Sequence, residues 1–325
     1  MPTTENDHPA SNLLPRTWAE RAVLLLSLGK MRISLLAAFT AAMGQFLASD
    51  RAGGPMVLTD VGVLLLAMGS CSLNQYQERE IDARMQRTRE RVLPSKRLNP
   101  RTALAISVVE ISLGSFLSLV GASPVALILG LFAVLWYNGV YTYLKRKTAF
   151  ATLPGALIGA IPPAIGWVSG GGSLLDPRMW QIGLFFCMWQ IPHFWFHLLD
   201  FGKDYEAAGL PSMTRVFSAK QLKKILFIWL LSTGVSCLLI PLSGFAASAP
   251  ARILLLGLTV WLFWTALHIF TPYSKMPSFK GAFIRLNLYV LGVTVLLSLD
   301  RFKFFGYTET GSITGILAAI GFVPM

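Results

Sequence analysis

The chain has 325 residues, 54% of them hydrophobic and only 14% charged, where a soluble domain carries about 25%. Its apolar residues gather in blocks of about 20, the length that crosses a bilayer core. This excludes a disordered chain and a disulfide-built secreted scaffold, and points to an integral, multi-pass membrane protein. The 28 Lys and Arg against 16 Asp and Glu leave a net charge of +12. In a membrane chain that excess belongs to cytoplasmic loops rather than to nucleic-acid binding. Cys71, Cys187 and Cys237 sit inside apolar stretches with no pairing pattern or metal-site spacing.

Residues 1–18 read as a disordered tail and 19–30 (AERAVLLLSLGK) as an amphipathic segment lying at the interface. Glu5, Asp7 and Glu20 argue against a cleaved signal or a transit peptide. Nine apolar spans follow, at about 32–50, 56–75, 102–121, 124–143, 151–170, 179–199, 224–246, 251–272 and 283–299. Residues 31–300 thus read as one all-α, nine-helix domain, and 301–325 as a C-terminal tail whose apolar part, 311–325, is too short to cross. Basic residues alternate with span number: 23 of the 28 fall on the side of residue 1 and of the loops after spans 2, 4, 6 and 8, and 5 on the other. The positive-inside rule then predicts a cytoplasmic N-terminus, in a bacterial chain at the inner membrane.

The scarce acidic residues cluster in two of those basic-side loops. Glu78, Glu80, Asp82 and Glu90 follow span 2; Asp200, Asp204 and Glu206 follow span 6. Asn74, Glu78 and Asp82 stand at i, i+4 and i+8, so on a continuing helix each step turns the side chain by only about 40° and all three share one face. Asp200 and Asp204 repeat the i, i+4 spacing. Oxygen-bearing side chains in a row suit a hard cation such as Mg²⁺. Arg84, Arg87, Arg89, Arg91, Lys96 and Arg97 come after the first cluster, and Lys145, Arg146 and Lys147 follow span 4. Carboxylates with Mg²⁺, ringed by Arg and Lys, are a way to hold a diphosphate. Trp136, Tyr137, Tyr141, Phe194 and Trp195 lie in the neighbouring membrane-embedded segments. A polar head above an apolar, aromatic interior predicts a lipid diphosphate as substrate. The competing interpretation is that these are ordinary solvated loops with acids balancing arginines.

Asn74-x3-Glu78-x3-Asp82 followed by Met85-Gln86-Arg87-Thr88-Arg89 resembles the first acidic motif of the UbiA-type intramembrane prenyltransferases, most of all their haem O synthase branch. Lys30-Met31-Arg32 resembles that branch's approach to span 1. Tyr141 to Thr148, with Gly159 to Trp167 after it, resembles its middle. Pro192-His193-Phe194-Trp195 through Asp204-Tyr205-Glu206 to Pro211 resembles its second motif. The resemblance implies nine helices around a central cavity open to lipid, with Asn74, Glu78, Asp82, Asp200 and Asp204 holding Mg²⁺ and a prenyl diphosphate as the catalytic set. It implies Arg87, Lys145 and Arg146 as diphosphate partners, and Arg32, Tyr141 and His193 as further substrate contacts. The expected reaction is farnesyl transfer from farnesyl diphosphate to a vinyl group of haem B.

Three positions depart from that branch: Glu78 where Asp is usual, Val92 after Arg91, and Asp200 where a basic residue is common. They keep open an aromatic quinone precursor such as a hydroxybenzoate as acceptor. His193 and His197, four apart on span 6, are read either as a haem ligand or acceptor contact or as polar residues hydrogen-bonded inside the bundle. Glu110, deep in span 3, is an expensive ionisable group without an assigned role. A transporter would want its charges near the midplane, and a haem carrier without chemistry would leave the two acidic faces unexplained.

Overall fold

The computed structural model describes residues 17–49, 54–269 and 279–301. The tails 1–16 and 302–325 and the expected span ends at 50 and 270–272 lie outside the described residues. The elements are α1 (Trp18–Leu28), α2 (Met31–Ala48), α3 (Gly54–Asp82), α4 (Pro100–Gly121), α5 (Pro124–Leu144), α6 (Thr152–Ser169), α7 (Pro177–Asp200), α8 (Gly202–Ala207), α9 (Ala219–Ser243), α10 (Ala249–His268) and α11 (Phe279–Arg301). Nine of these, α2 to α7 and α9 to α11, are long and apolar enough to cross a membrane, and among the described residues there is no strand.

Local sequence sets where helices begin. Asn99, Ser123, Asp176 and Ser248 each accept a backbone N–H in the first turn, and each is followed by a proline at the first or second helical position. The side chain satisfies an otherwise orphaned donor, and proline has no N–H to orphan. Ser218 opens α9 with a reciprocal capping box to Gln221. Thr17 and Glu20 do the same for α1, whose Trp18, Val23 and Leu26 are exposed. That exposure suits a short helix lying in an interface.

Small residues let the helices touch. A Cβ placed on Gly166 would lie 1.8 Å from the Ala41 carbonyl oxygen, and one on Gly44 would lie 2.1 Å from that of Pro163. The α2 and α6 backbones therefore meet directly, as in membrane bundles where close approach replaces a hydrophobic drive between helices. The largest core cluster runs from α6 and α7 into α9, α10 and α11, with Trp167, Phe185, Phe186, Leu226, Leu262 and Tyr289 fully buried. Outward-facing Val108, Phe116, Ile128, Trp180, Ile253 and Val260 stay exposed, which makes sense against lipid and not against water.

Two details position the site. The apolar run of α3 ends at Gln75, yet the helix continues to Asp82. Within α5, residues Leu135–Tyr141 form a π-helical segment, a widened turn that rotates everything after it and is common at functional sites.

Candidate functional site

Because α3 does not stop at the end of its apolar run, Asn74, Glu78 and Asp82 project from one face of one helix, all three nearly inaccessible to solvent. Each has a polar partner from elsewhere. Lys30 Nζ lies 3.3 Å from Asn74 Oδ1, and Asn74 Nδ2 donates to Thr142 Oγ1 at 3.1 Å. Lys145 Nζ donates to Glu78 Oε2 at 2.6 Å. Arg91 Nη1 reaches both oxygens of Asp82, at 3.0 and 2.8 Å. Buried carboxylates persist only when paired and hydrogen-bonded in this way.

The chain goes to some lengths to deliver these cations. Lys30 occupies the turn between α1 and α2 with φ of 47°, a left-handed conformation that costs a non-glycine residue free energy. Gln75 holds that turn: its Nε2 donates to the Ser27 and Leu28 carbonyls at 3.1 and 2.7 Å. Burial pushes the Lys30 ammonium below the ordinary lysine range, with Arg91 and Lys145 adding to the push and Glu78 opposing it. Arg87 is also pushed down by burial; its guanidinium lies 4.8 Å from the Phe201 ring centre, and its Nε is buried without a hydrogen-bond partner. Four cations, Lys30, Arg87, Arg91 and Lys145, therefore stand near three buried oxygen-bearing side chains, and two of the four are held at an electrostatic cost.

Asp204 ties the second acidic motif to the first. Its Oδ1 and Oδ2 accept the backbone N–H groups of Gln86 and Arg87 at 3.1 and 2.9 Å. Asp204 and Asp82 both act electrostatically on Arg87. Asp200 is placed differently: it is exposed and faces the start of α11, near the Phe279 backbone and Lys280.

Below the polar cluster stands an aromatic wall. Tyr137 and Tyr141 stack with ring centres 5.8 Å apart, and Tyr141 stacks on Phe194 at 5.7 Å. The π-helical turn makes this register possible, and Thr142 Oγ1 secures it by donating to the Tyr137 carbonyl at 2.9 Å. Lys145 Nζ lies 5.6 Å from the Tyr141 ring centre. His193 continues the wall between Trp189 and Phe283, each 4.9 Å away.

Of the residues expected from sequence, the structure gathers Asn74, Glu78, Asp82, Asp204, Arg87, Lys145 and Tyr141, with His193 beyond Phe194. Arg32 is exposed on the first turn of α2. Arg146 is committed to the Gln77 carbonyl at 2.9 Å and lies against Tyr143. Lys30 and Arg91, which carry the cluster's charge beside Lys145, were not singled out by sequence reasoning. Among the described residues no three acidic, His or Cys side chains are gathered closely enough to form a metal cage. Mg²⁺ is usually bound by one or two carboxylates plus substrate phosphate oxygens, and the buried side-chain oxygens of Asn74, Glu78 and Asp82 suit it in kind. The donors here are hard oxygens throughout.

The profile of the UbiA prenyltransferase family matches residues 36–289. The chain belongs to this family. It is similar to a protoheme IX farnesyltransferase of Oleidesulfovibrio alaskensis, with 36% identity over 278 residues that cover 85% of this chain and 95% of that protein. Its fold is shared with a digeranylgeranylglyceryl phosphate synthase at a TM-score of 0.70 and 16% identity, over 87% of this chain and 99% of the other. A UbiA homolog from Archaeoglobus fulgidus, solved bound to DMAPP and Mg²⁺, shares it at a TM-score of 0.60 and 15% identity, over 85% and 99%. As a UbiA prenyltransferase the chain has a ready reading for its acidic face, its gathered cations and its aromatic wall.

Proposed function

We propose that the chain is a farnesyltransferase that joins the farnesyl group of farnesyl diphosphate to a vinyl group of haem B, giving haem O. The observation that carries the prenyl-transfer half is the group of Lys30, Arg87, Arg91 and Lys145 around Asn74, Glu78 and Asp82, above the Tyr137–Tyr141–Phe194 wall. The haem half is supported by the likeness to the Oleidesulfovibrio protein, which runs nearly end to end. Asp200, the departure that favoured a quinone-type second motif, stands apart from the cluster, which weakens the hydroxybenzoate reading.

Diphosphate binding relieves the cost stored in this site. Lys30 and Arg87 are buried with too little negative charge near them, and phosphate oxygens supply it. Asn74, Glu78 and Asp82, with Asp204, which shares Arg87 with Asp82, are the residues that would hold Mg²⁺. The ion, when bound, adds positive charge at the departing diphosphate. Lys145 and Arg91 already lie on the carboxylates and bring two further cations to the place where phosphate oxygens would bind. As the bond from the prenyl C1 to oxygen breaks, positive charge develops on the allylic carbons. The faces of Tyr141, Tyr137 and Phe194 stabilise it through their quadrupoles, and the membrane-embedded wall keeps bulk water away. The terminal vinyl carbon of the acceptor then bonds to C1 as the diphosphate departs, and the positive charge left on the vinyl carbon next to the macrocycle is quenched by one admitted water, which loses a proton and leaves the hydroxyl group of haem O. The basic end of the bundle faces the cytoplasm in this reading. Expression in cells that lack haem O, followed by mass spectrometry of their haem pool, tests the proposal: haem O should appear, and its absence despite membrane insertion of the protein would refute it.

A further inference from the structure

His193 lies on α7 one turn before His197, and its Nδ1 is 2.8 Å from Asn287 Oδ1 on α11. Chemistry fixes the orientation of that amide. Asn287 Nδ2 lies 2.7 Å from the Phe283 carbonyl, which can only accept, so that end of the amide is the NH₂ and the end facing His193 is the oxygen. The oxygen accepts, so His193 carries its hydrogen on Nδ1, and in a neutral imidazole Nε2 then holds a lone pair. Among the described residues no donor caps that Nε2. The side chain keeps some accessible surface although Trp189, Phe194 and Phe283 surround it. An uncapped lone pair on a ring whose other nitrogen is fixed by an acceptor is the arrangement of a metal-ligating histidine. Among the described residues His197 has no such acceptor, and its electrostatic neighbours are Arg87, His193, Arg91 and Lys30, which places it on the side of the diphosphate cations.

We infer that His193 Nε2 is the axial ligand to the iron of the acceptor haem, and that Asn287 is the positioning residue that holds the imidazole in the ligating tautomer. This rests on the haem reading above. Ligation would fix the iron against α7 beyond Phe194, so that an edge of the macrocycle, rather than its centre, meets the prenyl chain on the Tyr141 wall.

The test titrates ferrous and ferric haem B, and metal-free protoporphyrin IX, into the full chain in lipid nanodiscs without farnesyl diphosphate. The wild-type protein should bind haem B at least about tenfold more tightly than the metal-free ring, and its ferrous complex should show an iron–imidazole stretch by resonance Raman. His193→Ala should lose both the band and the preference while still binding protoporphyrin IX, which shows that the bundle is intact, and added imidazole should restore the band. Asn287→Leu should shift the band and weaken haem binding by roughly 10-fold or more, whereas Asn287→Asp, which keeps an acceptor, should recover the affinity. A band that survives in His193→Ala, or that disappears in His197→Ala instead, overturns the inference. Haem O formation by a protein with neither band nor preference would sink the ligation while leaving farnesyl transfer standing. Failure of the wild-type chain to bind either ring would remove both.

Discussion

Arg91→Met should destabilise the protein far more than loss of an ordinary loop charge. The Asp82 side chain is 1% exposed and that of Arg91 25%, and the guanidinium touches both carboxylate oxygens. A charge-assisted contact of this kind is roughly twice as strong as a neutral hydrogen bond. Removing one partner of a buried pair costs about 3–5 kcal/mol, because the survivor is left charged and dry. Arg91→Met strands the deeper partner, but the partial exposure of Arg91 shows that water reaches the edge of the pair, so its cost belongs at the lower end of that range, about 3 kcal/mol. Asp82→Asn strands Arg91, which can turn towards water, and should cost about 1 kcal/mol. The double variant removes both charges and should be less destabilised than the sum of the singles by about 2 kcal/mol. Thermal unfolding of purified protein in one fixed detergent, followed by tryptophan fluorescence, gives the order of midpoints. Arg91→Met should unfold first, with the double variant recovering part of the loss; none of the three should transfer prenyl groups. A double variant that falls by the full sum of the singles would show that the pair does not interact.

Lys30 gives a pH prediction. Its pKa lies below the ordinary 10.5, so the ammonium is lost on raising pH before a free lysine would titrate. The KM for farnesyl diphosphate should therefore rise on the alkaline side. Lys30→Arg should remove that limb, and an unchanged limb would assign it to another group. The same shift means the unfolded chain binds more protons in that window, so the Lys30 contribution to stability grows with pH up to the unfolded value. Gly166→Ala should block expression of folded protein, because its Cβ would overlap the Ala41 carbonyl, whereas Gly257→Ala, with nothing within 4 Å, should be silent; equal behaviour on size-exclusion chromatography would contradict the close α2–α6 contact. Asp204→Asn loses one of two acceptors for the Gln86 and Arg87 amides and should abolish turnover while leaving the protein folded, with faster proteolysis of the 83–99 loop; full activity would remove Asp204 from the site. Tyr141→Ala should lower kcat by roughly 10-fold or more, the loss expected for a cation–π contribution of about 1–2 kcal/mol, with Tyr141→Phe near wild type; equal losses would assign the role to the hydroxyl.

The spans were legible because a bilayer demands about 20 apolar residues for each crossing, and proline-marked caps at Asn99, Ser123 and Asp176 sharpen their starts. The acidic face of α3 was legible too, since the i, i+4, i+8 spacing has meaning only if the helix runs on to Asp82, and it does. The cations were harder to read. Lys30 and Arg32 are two residues apart, and which of them enters the cluster depends on a left-handed turn held by Gln75, 45 residues further along the chain. Arg91 is one of several like residues in a loop of turns, and only the folded loop distinguishes it from Arg84 or Arg89. The π-helical turn carries no sequence signal. Asn287 sits mid-span, where a polar residue announces a partner but not which one.

The most direct test of the account uses purified protein in nanodiscs with farnesyl diphosphate and Mg²⁺, offering haem B and a hydroxybenzoate in separate reactions and reading products by mass spectrometry. Haem O from haem B, and no product from the hydroxybenzoate or after chelation of the metal, is the predicted result. Prenylated hydroxybenzoate with haem B left untouched would contradict it.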